Sequence, residues 1–201
     1  MLRSLVGSEM CIRDSAETAR DFEQKTTDYW RQWTRRLALP LEWQDAVIRA
    51  AITLKLSLYE DTGAIIAAMT TSIPEAPGSS RNWDYRYCWL RDAFFVVRAL
   101  NSLSEVATME DYLRWMSNVV IDSQGGHIQP LFGIGLEKSL PESFVDNLPG
   151  YRGMGPVRVG NQAQEHFQHD VYGNVIPVSY THLRAHETPE HLVCRLLLEK
   201  K

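Results

Sequence analysis

The chain has 201 residues, of which 44% are hydrophobic and 10% aromatic, and its formal net charge is -4 at pH 7. Six Trp, eight Tyr and six Phe supply enough apolar surface to exclude a largely disordered protein and to favour a soluble globular domain. The longest apolar runs, such as 64–69, are far shorter than the roughly 20 residues that a helix needs to cross a bilayer. Because phosphate binding requires clustered Lys and Arg, the mildly acidic charge also disfavours nucleic acid as a partner.

The two ends of the chain differ in character from the sequence between them. Residues 1–15 carry a short apolar patch without the h-region or cleavage site of a signal peptide, and residues 177–201 break the pattern of the preceding chain. Both segments resemble translated sequencing-adapter peptides, so we expect that neither is natural protein and that residues 16–176 form the domain. Cys88 is then the one cysteine left, which excludes an internal disulfide. Compartment stays open, with a cytoplasmic location favoured over secretion.

The first half of the domain predicts two helices followed by an extended segment. Ala16–Leu39 is polar with aromatic anchors at helical spacing, and the proline that follows ends it. A second helix, from about Leu41 to Tyr59, is apolar over so much of its circumference that we expect it to be buried. The small and β-branched residues 64–72 predict a short strand or an extended arm, and Pro and Gly make 73–80 a loop.

The second half predicts three more helices. Trp89–Leu103 is again apolar on most sides, and Thr108–Asp122 opens with a capping-box pattern in which Asp111 follows Thr108 by three residues. A loop-rich stretch over 127–160 follows, with one short strand at Ile128–Phe132, and a last helix is predicted from Gly160 to Tyr172. The alternation of amphipathic and very apolar helices predicts an all-α protein built from layers of helical hairpins.

The densest cluster of chemically active side chains is Arg81–Asp92, where a loop enters an apolar helix. Four aromatic residues interleave there with three arginines and two aspartates. Sugars are bound by such mixtures, because aromatic faces pack on the pyranose ring while charged groups bind the hydroxyls. On composition alone, the alternative is that Arg91 and Asp92 form an ion pair that ties the loop to the helix N-terminus.

The cluster is also the point at which the sequence resembles a known family. Thr70–Glu75 and Arg81–Ala93, followed by Leu148–Gly153, Pro156–Asn161 and Asp170–Gly173, closely resemble bacterial members of glycoside hydrolase family 15, the glucoamylase, glucodextranase and trehalase group. The resemblance implies a toroid of six concentric helical hairpins, of which only the first are present here. It also implies a hydrolase that needs no cofactor or metal in its pocket and that acts on an α-glucan or trehalose.

The resemblance further implies which residues line the pocket for the non-reducing glucose. Arg91 and Asp92 match positions that bind sugar hydroxyls, Trp89 matches one that packs against the ring, and Tyr85 matches one near the anomeric centre. Arg158 and Asn161, in the second block, are expected to approach the same pocket.

Catalysis in this family uses two glutamates, and neither of their motifs is present in the chain. The general acid belongs to a loop beginning Trp-Glu, a pair that occurs nowhere in this sequence, and the general base lies far downstream. Glu75 lies near the sugar cluster but matches neither position, so we interpret it as a loop residue. The sequence therefore predicts a piece of an inverting glycosidase that holds the glucose pocket without its catalytic carboxylates.

Two other interpretations stay open on the sequence. A non-catalytic sugar-binding module would also keep the pocket without the carboxylates, and an unrelated hairpin protein would use the aromatic cluster as core. Weaker signals are given structural interpretations: Gly133–Lys138 lacks the third glycine of a dinucleotide-binding loop, His166, His169 and Asp170 suit a polar helix surface, and Cys88 suits a buried thiol.

Overall fold

The computed structural model describes residues 16–123, 126–174 and 176, so both terminal segments whose origin the sequence questions lie outside the described residues. Four helices account for most of the regular structure: α1 (Ala16–Thr34), α2 (Gln44–Lys55), α3 (Leu90–Ser102) and α4 (Ala107–Ile121). The strands are short and pair in four antiparallel twos: β1 (Leu58–Tyr59) with β2 (Ala64–Ile65), β3 (Thr71–Pro74) with β4 (Asn82–Asp84), β5 (Cys88–Trp89) with β6 (Leu131–Phe132), and β7 (Ser143–Phe144) with β8 (Arg158–Val159).

The main hydrophobic core lies between α3 and α4. Both helices bury one stripe: Leu90, Ala93 and Val97 on α3 meet residues of α4 such as Tyr112 and Trp115, each at most 4% exposed. The Trp115 ring stacks on Tyr112 at 5.8 Å and meets Phe132 of β6 edge-on at 5.9 Å. Burial of large aromatic rings on this scale fixes the direction of α3 and therefore the position of its N-terminus.

A second, smaller core holds α1 against the rest of the chain. Trp33 and Leu37 pack with Ala51 of α2 and Leu100 of α3. Glu105 joins this core to α4, because one carboxylate oxygen accepts from the indole N–H of Trp33 at 3.4 Å and the other accepts from the backbone N–H of Thr108 at 3.1 Å.

The structure confirms the presence of the first four helices and the extended character of 64–72. The short strand predicted at Ile128–Phe132 is present as β6. The prediction of a capping box is wrong. The N-cap residue of α4 is Val106, which makes no side-chain hydrogen bond there, and Thr108 is fully buried in the first turn. Glu105 supplies the missing acceptor instead, from one residue further upstream.

The last predicted helix, Gly160–Tyr172, is also wrong. A 3₁₀ turn spans Gln162–Glu165, residues 166–169 are not helical, and a short helical turn begins at 170. The cause is local: Gly160 has a φ of +86°, and the side chain of the extended Asn161 accepts from the backbone N–H of Ala163 at 3.0 Å, which forms a turn. Helical periodicity in the sequence does not register that competing hydrogen bond.

The fold class is therefore helical hairpins with short strand pairs rather than purely all-α. The strands come mainly from the aromatic, Pro-rich and Gly-rich segments between the helices, where backbone groups pair locally. The six-hairpin toroid stays a prediction. Among the described residues, no helix combines the length and apolar character required for a membrane span.

The expected burial of α2 is not observed. Within α2 only Ala51 and Lys55 are buried, and Leu41, Trp43 and Leu56 beside the helix are exposed. The remaining apolar face of α2 lines an open cavity of about 520 Å³ together with Leu39, Ala99 and Leu103. Open apolar surface of this kind favours self-association.

We therefore expect the 201-residue chain, expressed alone, to be helical but prone to aggregate and to bind a hydrophobic dye strongly. The reason is the uncovered face between α2 and α3. Circular dichroism, dye fluorescence and light scattering on freshly purified protein check this. A soluble monomer with a sharp, cooperative thermal transition and no dye binding would contradict it.

Candidate functional site

Side chains alternate between two sides of the chain along strand β4 and the residue after it, and only one of these sides is fully buried. Asn82 and Asp84 are fully buried on one face, while Trp83 and Tyr85 alternate with them and are partly exposed. The inward face holds the second sequence block, and the outward face carries a residue of the predicted pocket. One short strand therefore anchors the loop and presents Tyr85.

On the buried side, Asp84 takes part in five hydrogen bonds. Its carboxylate accepts from the Arg86 guanidinium at 2.9 Å and 2.8 Å, from the Arg86 backbone N–H at 3.2 Å and from the Gly160 N–H at 3.3 Å. Its backbone carbonyl accepts from the Asn161 amide at 3.0 Å. A buried carboxylate is tolerated only when its charge is compensated in this way.

Four further hydrogen bonds join the first block to the second. The Asn82 side-chain amide donates to the carbonyls of Met154 and Pro156 at 3.1 Å and 2.9 Å. The Ser72 hydroxyl accepts from the Arg158 N–H at 2.7 Å, and the Thr71 hydroxyl donates to the Arg158 carbonyl at 2.7 Å. The contacting residues are 72 to 87 positions apart in sequence, so these bonds join two distant blocks into one unit.

The N-terminus of α3 carries the other three predicted pocket residues. β5 pairs with β6, the backbone N–H of Leu90 donates to the Pro130 carbonyl at 3.1 Å, and the helix starts immediately after Trp89. Asp92 lies in the first turn, where the helix dipole favours a negative charge. Arg91 and Asp92 thus project from a terminus that is fixed by the core.

Arg91 is the centre of this group. Its guanidinium lies 5.5 Å from the centroid of the Trp89 ring. One terminal nitrogen lies 3.3 Å from Asp92 Oδ2, and the other donates to Asp170 Oδ2 at 3.4 Å. All three charged side chains are about two-fifths exposed, so the group is accessible from solvent.

Two polar atoms of this group are buried and make no hydrogen bond among the described residues: Asp92 Oδ2, which is in the ion pair with Arg91, and the indole Nε1 of Trp89. Burial without a hydrogen bond costs free energy, and the same holds for Tyr112 Oη and Trp115 Nε1 in the main core. The atoms at Trp89 and Asp92 differ because they lie beside charged side chains that are partly exposed. A hydroxyl-rich ligand supplies both a donor and an acceptor. The geometry therefore suits a neutral, polyhydroxylated ligand.

Tyr85 lies within electrostatic reach of the same group. Desolvation raises the pKa of the Tyr85 phenol, and the negative charges of Glu75 and Asp92 raise it further. The phenol therefore stays protonated at neutral pH and is able to donate a hydrogen bond. Its backbone is held by the Thr70 carbonyl at 3.3 Å.

Arg158 and Asn161, expected near the pocket, have structural contacts. The Arg158 guanidinium lies between the rings of Trp83 and Phe144, 4.9 Å from each centroid, and forms an ion pair with Glu142. The amide of Asn161 is committed to the Asp84 carbonyl. Both residues hold the second block in place in the described structure.

Glu75 and Cys88 match their structural interpretations. The Glu75 carboxylate accepts from Arg81 at 2.5 Å and from the Trp83 indole at 2.9 Å, and these hydrogen bonds lower its pKa. It is therefore ionised at neutral pH and unsuited to protonating a leaving group. Burial raises the pKa of the Cys88 thiol to about 12, so this cysteine is inert packing.

The structure adds Asp170 to the site, although the sequence analysis interpreted this residue as part of a polar helix surface. It lies at the start of the helical turn at 170 and binds Arg91, 79 residues away in the chain. The one signal that pointed to it was its place in the second block of the family resemblance. Among the described residues, no group of three or more His, Cys, Asp or Glu is arranged to hold a metal ion.

Comparisons with known proteins agree with these sequence blocks. The model of the family described as glycosyl hydrolases family 15 matches residues 42–197. The chain belongs to this family.

The relatives of this family-15 chain are enzymes named trehalase. It is 38% identical to the trehalase of Mycobacterium tuberculosis (strain H37Rv) over 180 residues, covering 88% of this chain and 26% of the relative. The trehalase of Thermoplasma acidophilum is 39% identical over 153 residues, with 76% of this chain and 26% of the relative covered. Trehalase 1 of Sulfolobus acidocaldarius is 35% identical over 160 residues, covering 79% and 27%. The chain spans about a quarter of the length of these curated relatives. No solved structure matches the chain significantly.

Asp84→Ala is expected to destabilise the family-15 domain by about 2–4 kcal/mol, because it removes a fully buried acceptor of four hydrogen bonds and leaves their donors unpaired. Urea-induced unfolding measures the loss. Asp111→Ala removes an aspartate whose ion pair with Arg114 lies on the surface of α4, and should change stability by less than about 0.5 kcal/mol. Equal effects of the two changes would contradict the anchoring role of Asp84.

Proposed function

We propose that this chain is part of a glycoside hydrolase that acts on trehalose, and that residues 16–176 supply the pocket for one of its glucose rings. The support is the family membership together with the names of the aligned relatives, which are trehalases. The observation that carries the proposal is the partly exposed group of Trp89, Arg91 and Asp92 at the α3 N-terminus, with two buried polar atoms that make no hydrogen bond.

Each residue has a distinct role in the proposed pocket. Trp89 packs its ring against the C–H face of the glucose, and its indole N–H is free to donate to a hydroxyl. Asp92 accepts from sugar hydroxyls, and Arg91 donates to them while its contact with Asp170 holds it in place. Tyr85, protonated at neutral pH, donates near the anomeric centre. Together they hold and orient one pyranose ring.

The chemical step is assigned to residues that this chain does not supply. In the inverting reaction one carboxylic acid protonates the leaving oxygen while a carboxylate on the opposite face activates water. The chain has no Trp-Glu pair to serve as the acid loop, and Glu75 is held ionised by Arg81 and Trp83. We propose that both catalytic glutamates lie in the remainder of a longer protein.

A non-catalytic sugar-binding module is the second candidate, favoured by the absence of that Trp-Glu pair. The two candidates share the pocket and differ in chemistry. A protein extending beyond this chain that releases glucose from trehalose supports the hydrolase. One that binds trehalose without releasing glucose supports the module.

The isolated chain is expected to release no detectable glucose from trehalose, maltose, isomaltose or soluble starch. Loss of the general acid alone costs about 10²–10⁴ in rate, and the base is absent as well. A coupled glucose assay on the purified chain measures this, with Glu75→Gln as the matched variant. Glucose release that Glu75→Gln abolishes would assign the acid to Glu75 and overturn the division between pocket and chemistry.

In a full-length protein that contains this segment, Asp92→Ala should lower kcat/KM for trehalose by more than about 100-fold, or about 3 kcal/mol. Hydrogen bonds to the distorted sugar strengthen as positive charge develops on the ring, so their loss is felt in the transition state. Steady-state kinetics check this. Asp111→Ala, a surface change on α4, serves as the control, and an unchanged rate for Asp92→Ala would remove the basis of the pocket.

A further inference from the structure

An aromatic group lies on the chain segment next to the proposed pocket. The Phe167 ring stacks on His127 at 5.5 Å with an interplanar angle of 16°, and His169 meets it edge-on at 4.9 Å. Tyr172 lies on a further side, with its centroid at 6.1 Å. Phe167 is nevertheless 59% exposed, although a large apolar ring in a structural cluster is ordinarily buried. We name Phe167, His127 and His169 the aromatic platform.

Hydrogen bonds of Tyr172 hold together the two chain segments that carry the aromatic platform. The Tyr172 hydroxyl donates to the Gly126 carbonyl at 3.1 Å and accepts from the Ile128 N–H at 3.3 Å. These bonds tie the loop that carries His127 to the turn that follows His169. Ile128 and Val171 are buried beneath them, at 4% and 1% exposure. The rings are therefore presented by a fixed backbone.

The aromatic platform adjoins the pocket through a single residue. His169 immediately precedes Asp170, whose carboxylate binds Arg91, and Arg91 in turn lies over the Trp89 ring. Because His169 and Asp170 are consecutive residues, the aromatic platform and the Arg91 contact belong to the same short segment of chain.

We propose that the aromatic platform is the subsite for the second sugar ring of the disaccharide, the one that leaves. An exposed phenyl face packs on the C–H face of a pyranose, and the edges of two imidazoles donate to and accept from its hydroxyls. The negative charge of Asp170 beside it, already paired with Arg91, favours a neutral sugar over a phosphorylated one. This inference rests on the proposed function of the pocket.

The test compares two substrates in a full-length protein that contains this segment. Trehalose carries a second ring, whereas α-glucosyl fluoride has the same first ring and fluoride as its leaving group. Phe167→Ala should lower kcat/KM for trehalose by about fivefold to tenfold, as expected for loss of one aromatic stacking contact, and leave that for α-glucosyl fluoride unchanged. Phe167→Tyr should keep both values, because it keeps the ring.

Two controls make the result decisive. Phe22→Ala removes an equally exposed phenylalanine on α1 and should change neither substrate. Phe167→Leu keeps apolar volume against Tyr172 without an aromatic face, so it should reproduce the selective loss if Phe167→Ala fails to fold. An equal loss on both substrates, or no loss on trehalose, overturns the subsite. If Asp92→Ala impairs both substrates while Phe167→Ala impairs neither, only this inference fails; if Asp92→Ala impairs neither, the pocket itself fails.

Discussion

A carboxylate removed from water must have its charge compensated inside the protein, and the loops of this domain are arranged around one such group. Asp84 is fully buried, with four hydrogen bonds to its oxygens. Two come from the Arg86 side chain, which turns the chain directly after β4, and one comes from Gly160, far along the sequence. Because the Gly160 N–H must reach this carboxylate, the second block docks in one register against the first. A Cβ at Gly160 would lie 2.0 Å from the Pro141 carbonyl oxygen, which explains the residue there.

That docking determines where the pocket residues lie. Because Asn82 and Asp84 are buried against the second block, Tyr85 lies on the opposite, partly exposed side. The turn at Arg86 then leads into β5 and the start of α3. From the other direction, the second block continues past Gly160 to Asp170, which binds Arg91. The proposed pocket is thus assembled by parts of the chain that are distant in sequence. It exists only when both blocks are packed, so sugar affinity and tertiary structure should be lost together.

The sequence predicted the parts of the fold that depend on periodicity and missed those that depend on tertiary hydrogen bonds. α1, α3 and α4 were found because their apolar stripes repeat at helical spacing. The helix expected over 160–172 is absent because the side chain of Asn161 forms a local turn. Trp89, Arg91 and Asp92 were identified from the family resemblance and do lie together, but the bond between Arg91 and Asp170 depends on three-dimensional packing that no spacing encodes.

The contrast between Asp84 and Asp92 separates structure from function within one short motif. Both are aspartates paired with an arginine close by in sequence, Asp84 with Arg86 and Asp92 with Arg91. Asp84 has every interaction that a buried carboxylate needs, so a ligand has nothing to add. Asp92 Oδ2 is buried and makes no hydrogen bond, although it forms an ion pair with Arg91, and the nearby indole N–H of Trp89 makes none either. Both lie at a helix terminus whose charged side chains are partly exposed. A ligand adds hydrogen bonds where hydrogen-bonding capacity is unmet next to accessible charged groups, which is why we propose Asp92 for binding and assign Asp84 to the architecture.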